Sequence, residues 1–182
     1  YHDVGKLHAP NWFIENQDGS KNPHDEIDNP IKSAEVLQAH VDEGLKYARK
    51  NRLPKPIADF IPEHQGTLKM GYFFQKAKEK NLKINENDFR YKGPIPQSKE
   101  TAILMLADGC EAALRAMNIN ASDIEALETI SKIIHSRQKD GQLDDSNLSK
   151  GEIFIIKRAF LNVWKRIRHR RIQYPTSKNN TF

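Results

Sequence analysis

Residues 101–117 most narrow what this chain can fold into. Their side chains are apolar or small on nearly every side (Ile103, Leu104, Met105, Leu106, Ala107, Cys110, Ala113, Leu114), and one carboxylate, Asp108, lies at the centre. A segment this long and evenly apolar reads as a buried central helix, for which Ser98 is a suitable cap. Burying an ionised carboxylate costs several kcal/mol unless a cation or strong donors meet it. Asp108 therefore marks a place where a metal ion is expected.

The rest of the chain repeats the helical period. Val36, Leu37, Val41, Leu45 and Ala48 recur at helical spacing until Leu53-Pro54 ends the pattern. Ile57, Phe60, Ile61 and His64 follow the same rule on a short helix closed by Gly66, so His64 is expected to face inward. Residues 72–80 predict another helix, and 85–96 a polar loop rich in Pro and Gly. Ser122-Asp123-Ile124-Glu125 starts a helix with Ile124, Leu127, Ile130, Ile133 and Ile134 on one face, and Asp140-Gly141 turns the chain. Ser149 caps a last helix whose stripe of Ile153, Ile156, Phe160, Val163, Trp164 and Ile167 runs into Lys165, Arg166, Arg168, His169, Arg170 and Arg171. No alternating strand pattern or internal repeat competes, which predicts an all-α fold.

At 182 residues the length suits one domain. Mean hydropathy of -0.75 and the lack of any long apolar run exclude a membrane span within the chain. The single Cys110 cannot form an internal disulfide, and no signal peptide is present, so a reducing, cytoplasmic setting is expected. The first residue is Tyr1, and Tyr1-His2-Asp3-Val4-Gly5-Lys6 has no start signal of its own, so the chain is expected to be a fragment. The basic C-terminal cluster reads as a solvated helix end, its cations favoured by the helix dipole. Nucleic acid or anionic lipid is the least favoured reading of it, with salt-sensitive binding as its signature.

His2-Asp3 offers an imidazole and a carboxylate side by side, which suits a divalent pair if the carboxylate bridges. His40 lies on a helix with an apolar face, His64 faces inward, and Asp108 follows. Singly, each histidine reads as a hydrogen-bonded core residue. Together, His2, Asp3, His40, His64 and Asp108 give the order H-D, H, H, D along a set of helices, which resembles the HD superfamily of all-α metal phosphohydrolases. The similarity extends through Phe13-Ile14-Glu15-Asn16-Gln17, Asn22-Pro23-His24-Asp25, His64-Gln65-Gly66-Thr67, Phe89-Arg90-Tyr91-Lys92-Gly93-Pro94, Pro96-Gln97-Ser98-Lys99-Glu100-Thr101-Ala102, Met105-Leu106-Ala107-Asp108 and Asp140-Gly141-Gln142-Leu143-Asp144-Asp145. Over residues 1–175 the chain resembles the PgpH-type seven-transmembrane HD proteins.

That resemblance implies an HD-domain helical bundle over 1–175 lacking its first helices, with a disordered tail at 176–182. It implies two divalent transition-metal ions, iron or manganese, and hydrolysis of cyclic di-AMP to the linear dinucleotide by a metal-activated hydroxide. Carried over, His2, Asp3 and Asp108 hold one metal, and Asp3 bridges to a second held by His40 and His64. Lys6, one turn beyond Asp3, is placed to meet a phosphate as a point charge, and Arg90 could do so in bidentate fashion. The implied full-length protein is tethered by upstream helices at the cytoplasmic face of the membrane. A homodimer is left open.

Two departures matter. The family has a further histidine upstream of the HD pair, which this chain does not include, so poor activity is expected of the chain as given. It also carries two adjacent histidines where this chain has His64-Gln65. Glutamine offers only a neutral carbonyl, so the second metal is weakened or Gln65 touches substrate instead. The alternatives are a degenerate HD domain that binds a cyclic dinucleotide without cleaving it, and an HD hydrolase of another nucleotide.

Overall fold

The computed structural model describes residues 1–17 and 21–171, without the side chains of 169–171. The tail expected at 176–182 lies outside the described residues. Among the described residues there are eight α-helices and no strand: α1 Pro23–Glu26, α2 Pro30–Lys50, α3 Lys55–Ala58, α4 Phe60–Glu63, α5 Gly71–Glu79, α6 Lys99–Arg115, α7 Asp123–Lys139 and α8 Lys150–Arg171. Short 3-10 turns at Val4–His8, Pro10–Trp12, Ile14–Asn16 and Glu86–Phe89 complete the set. The all-α expectation holds.

Capping fixes where the long helices begin. Asn29 accepts hydrogen bonds from the Ile31 and Lys32 amides with Pro30 in the first turn of α2, and Ser98 does the same for Thr101 at the start of α6. Ser122 and Glu125 form a reciprocal capping box on α7. Ser149 accepts from the Glu152 amide at the start of α8.

The chain builds two apolar clusters. One joins α6, α7 and α8 through Ala102, Met105, Leu106, Cys110, Ala126, Ile130, Ile134, Ile153 and Ile156. The other joins α2 and α5 through Ala34, Met70, Phe73, Ala77 and Phe89. Phe89, fully buried, sits in the stretch read as a polar loop, which is therefore an ordered part of the second cluster. Its backbone pairs with residues 68–70 through an isolated bridge, Lys69 to Arg90.

Three faces differ from the sequence reading. On α7 the buried line is Ala126, Ile130 and Ile134, four residues apart, while Ile124 and Leu127 lie on the exposed side. Ala126 thus takes the buried place in the first turns, while Ile130, Ile133 and Ile134 of the expected face pack in or against the cluster. On α6, Ile103 is exposed and Asp108 only half-buried, so this helix is not covered all the way round. On α8, Val163 and Ile167 are exposed and line, with Leu114, Met117, Phe160 and Trp164, a groove of about 420 Å³ between α6 and α8.

α4 touches both α2 and α6, and so stands between the two clusters. Along α2, His40, Gly44 and Ala48 are buried at intervals of four. The small residues in that row let other backbone come close. Gly44 faces Ile61 of α4 and Gly5 of the first turn, and a Cβ on Gly5 would lie 1.8 Å from the His40 carbonyl oxygen. Glycine at position 5 is what allows the His2-Asp3 segment to lie on α2.

Candidate metal centre

The five residues picked out in sequence converge. Asp3 Oδ1 lies 3.3 Å from His64 Nε2 and 3.7 Å from His40 Nε2, and the two imidazole nitrogens are 3.5 Å apart. Asp3 Oδ2 lies 3.3 Å from His2 Nε2 and 2.8 Å from Lys6 Nζ. The ligand atoms form two groups, Asp3 with His40 and His64, and His2 with Asp3 and Asp108. Within each group they lie within 4.8 Å of one another. Asp3 belongs to both.

Hydrogen bonding on the far side of each imidazole sets its tautomer. His40 Nδ1 lies 2.5 Å from the Leu37 carbonyl, and His64 Nδ1 lies 2.7 Å from that of Ile61. A carbonyl only accepts, so each neutral ring carries its proton on Nδ1 and turns a bare Nε2 towards Asp3. Burial pushes the pKa of His40 down to about 4, against which the Leu37 carbonyl acts only in part, and this keeps the ring neutral. Burial also works to raise the pKa of Asp3. Its contacts with His2 and Lys6, both at Oδ2, outweigh that and hold the carboxylate ionised well below the usual range.

This arrangement fits a cation. Asp3 Oδ1 is sealed from solvent and has no hydrogen-bond donor, although two imidazole nitrogens face it. Lone pairs that converge in this way repel unless a positive charge stands among them. Asp108, half-buried on α6, has no ion-pair or hydrogen-bond partner among the described residues beyond its place in the second group. The half-burial of Asp108 corrects the expectation of a fully buried carboxylate, and it leaves that side of the centre open to a ligand.

Lys6 is not a free point charge. It bridges Asp3 and Glu15, and Glu15 is a residue whose part the sequence reading missed. Burial lowers the pKa of Lys6, and the two carboxylates more than reverse this and hold it protonated. Arg90, expected as a phosphate fork, is already engaged. Nε and Nη2 donate to Glu86 at 3.1 and 2.9 Å, and Nη1 donates to the Thr67 carbonyl at 3.0 Å and reaches Asp140 at 3.3 Å. The guanidinium ties the turn after His64 to the turn after α7. Gln142, fully buried, adds to this tie by accepting from the Thr67 amide and donating to Thr67 Oγ1 and Asp140.

Gln65 is half-buried beside His64 and belongs to neither ligand group. Glu63, also missed in sequence, is buried and accepts from Thr101 Oγ1 at 2.6 Å and the Gln97 amide at 2.8 Å, which locks α4 to the start of α6. His24 packs against Trp12 and Phe73 and shapes the loop before α2. In the basic C-terminal cluster, Lys165 pairs with Asp123 and Arg168 reaches the Ala121 carbonyl, while the side chains of His169, Arg170 and Arg171 lie outside the described residues.

An all-helical frame holding H-D, H, H, D ligands about one shared carboxylate defines a class, and comparison with known proteins agrees: residues 1–113 match the HD domain. The chain belongs to the HD domain family. Within it, the chain superposes on the HD domain of the Listeria monocytogenes phosphodiesterase PgpH, solved in complex with cyclic-di-AMP, with a TM-score of 0.87 and 38% identity over 92% of this chain and 77% of that one. A second structure of that domain gives 0.86 and 37%. An uncharacterized protein of Synechocystis, slr0104, is 48% identical over 96% of the chain. The cyclic-di-AMP phosphodiesterases PgpH of Listeria monocytogenes and Bacillus subtilis are 39% and 42% identical over 98% and 96%. The chain spans 22%, 25% and 24% of the lengths of these three relatives. Among the described residues, no helix is long and apolar enough to cross a membrane.

Proposed function

We propose that this domain is the catalytic part of a metal-dependent phosphodiesterase that hydrolyses cyclic di-AMP to the linear dinucleotide. The observation that carries the reading is the shared carboxylate. Asp3 Oδ1 is sealed, lacks a donor and faces two bare imidazole nitrogens, while Oδ2 faces His2. The match to the PgpH HD domain, at 38% identity, supports cyclic di-AMP as the substrate.

In this reading His40, His64 and Asp3 hold one divalent ion and His2, Asp3 and Asp108 the other, with iron or manganese the expected metals. Such ions supply Lewis acidity and lower the pKa of bound water towards neutrality. The residues of the chain do the rest. His40 and His64 are fixed as Nε2 ligands by backbone carbonyls. Lys6, held by Asp3 and Glu15, keeps positive charge beside the shared carboxylate, and Gln65, half-buried next to His64, is proposed to touch substrate. Arg90 acts on the site through the turn that follows His64. The rival reading, binding without cleavage, was motivated by Gln65, and both ligand groups assemble without that residue. The full-length protein is proposed to be tethered to the membrane by segments outside this chain.

The test is metal content and cyclic di-AMP hydrolysis of a longer version of the protein that includes the upstream histidine, compared with its Asp3→Ala variant. About two transition-metal ions per chain and turnover in the parent, with both lost in the variant, is the expected result. Tight binding of cyclic di-AMP with at most one ion and no turnover would turn the reading towards a sensor.

A further inference from the structure

Lys6 stands at the centre with one hydrogen-bond donor to spare. Its Nζ lies 2.8 Å from Asp3 Oδ2 and donates to Glu15 Oε1, and no other acceptor meets it among the described residues. An ammonium carries three N–H donors, so one is left over. All but 19% of the Lys6 side chain is covered, so the direction of that donor depends on what holds the head group.

The hold comes from two pieces of chain. Asp3 supplies one contact. Phe13 and Glu15 supply the others, and both belong to the short segment after the first turn. Lys6 Nζ lies over the Phe13 ring, 5.1 Å from its centroid. Phe13 is buried and stands edge-on to His40, with centroids 5.6 Å apart and planes at 83°. The segment is closed by the Asn16 amide donating to the Phe13 carbonyl at 2.9 Å, and tied back by Asn16 Nδ2 to the Pro10 carbonyl at 3.3 Å and Gln17 Nε2 to the Asn11 carbonyl at 3.2 Å. A lysine–glutamate pair in water stabilises a fold very little, because ordering two long side chains offsets the attraction. Here the lysine is mostly covered and its head group rests on a buried ring, so what the pair decides is where the charge stands.

We propose that Glu15 is a positioning residue of the phosphodiesterase: it holds the Lys6 ammonium against Phe13 so that the remaining N–H, beside Asp3, meets a phosphate oxygen of the substrate. The inference rests on the function proposed above. Without Glu15, Asp3 is the one carboxylate left on a flexible four-carbon stem, and the ammonium can take up many directions. A misplaced cation still attracts an anionic substrate, since Coulomb attraction falls only gradually with distance. Its alignment with an oxygen on which charge grows is what disappears. Loss of Glu15 therefore acts on kcat more than on KM. Glu15 touches no reacting atom, and no bond changes at it.

The experiment compares Glu15→Ala, Glu15→Gln, Lys6→Ala and the Lys6→Ala/Glu15→Ala double variant with the parent, all in the longer, metal-loaded protein, reading kcat and KM for cyclic di-AMP, metal content and Tm. Glu15→Ala is expected to lower kcat about tenfold with KM within about threefold of the parent. Glu15→Gln, whose amide oxygen still accepts from Lys6, should recover part of that loss. In the Lys6→Ala background the removal of Glu15 should lower kcat no further, since nothing is left to position. The proposal is overturned by a Glu15→Ala kcat close to the parent, a Glu15→Gln rate no better than that of Glu15→Ala, the same fall with and without Lys6, or a loss of Tm or metal that matches the loss of rate. The kcat and KM split and the glutamine variant decide the matter even where Lys6→Ala is too slow to measure. A parent that does not cleave cyclic di-AMP sinks the proposed function and this inference with it, whereas an active parent with an unaffected Glu15→Ala sinks this inference alone.

Discussion

At the scale of single residues, the centre depends on keeping imidazoles neutral and a carboxylate charged in one small volume. Burial holds the pKa of His40 at about 4, against 6.5 for a free imidazole. Between these values the unfolded chain binds a proton at His40 that the folded chain does not, so stability rises with pH across that window and falls on acidification. The shift corresponds to a change on the order of 3 kcal/mol between pH 6.5 and 4. Asp3 contributes elsewhere: its pKa is depressed, so its share of stability is lost only below the ordinary carboxylate value. His24, also depressed by burial, slopes in the same direction as His40. We expect metal-free wild type to lose stability from pH 6.5 to 4 in urea unfolding, and His40→Gln to show a clearly flatter profile. Equal slopes would mean that His40 does not carry the dependence.

At the scale of elements, the most exacting contact is the first 3-10 turn on α2. A Cβ on Gly5 would lie 1.8 Å from the His40 carbonyl and 2.5 Å from the Gly44 nitrogen, both backbone atoms with no rotamer to change. Gly5→Ala should therefore destabilise by about 2–3 kcal/mol and lift Asp3 from its histidines. Calorimetry would show a lowered Tm, and metal analysis the loss of both ions together. Retention of full metal content would show that the turn can shift without disturbing the ligands. How much of this was legible in sequence varies by element. The order H-D, H, H, D picked out five residues that the fold brings together, because chemistry and period both leave marks in residue type. The face of α7 was read correctly at Ile130, Ile133 and Ile134 and missed only in its first turns, where Ala126 is buried and Ile124 and Leu127 are exposed. The roles of Glu15 and Arg90 were not legible. Each depends on a charged partner that sequence distance hides, Lys6 for the first, Asp140 and the Thr67 carbonyl for the second.

At the scale of the whole molecule, the proposed ligands come from parts that share little core. His40 belongs to α2 in one cluster and Asp108 to α6 in the other, and His64, just past α4, lies between them. An ion held across such a boundary stabilises the native state by an amount that grows with the logarithm of free-ion concentration over Kd, and it does so on both sides at once. Chelation should lower Tm and raise amide exchange in both α2 and α6. A rise confined to one helix would show that the clusters do not depend on each other through the site.

Among the described residues, Asp3 is the one common to both ligand groups, and it leads into a turn that Gly5 allows to lie close on α2. The centre thus has the logic of a conjunction. In the proposed two-ion site, moving this turn would take a ligand from both ions together, so that neither triad would survive intact. A force or ligand that acts on this turn would set the number of competent molecules in a population and leave the speed of each one unchanged.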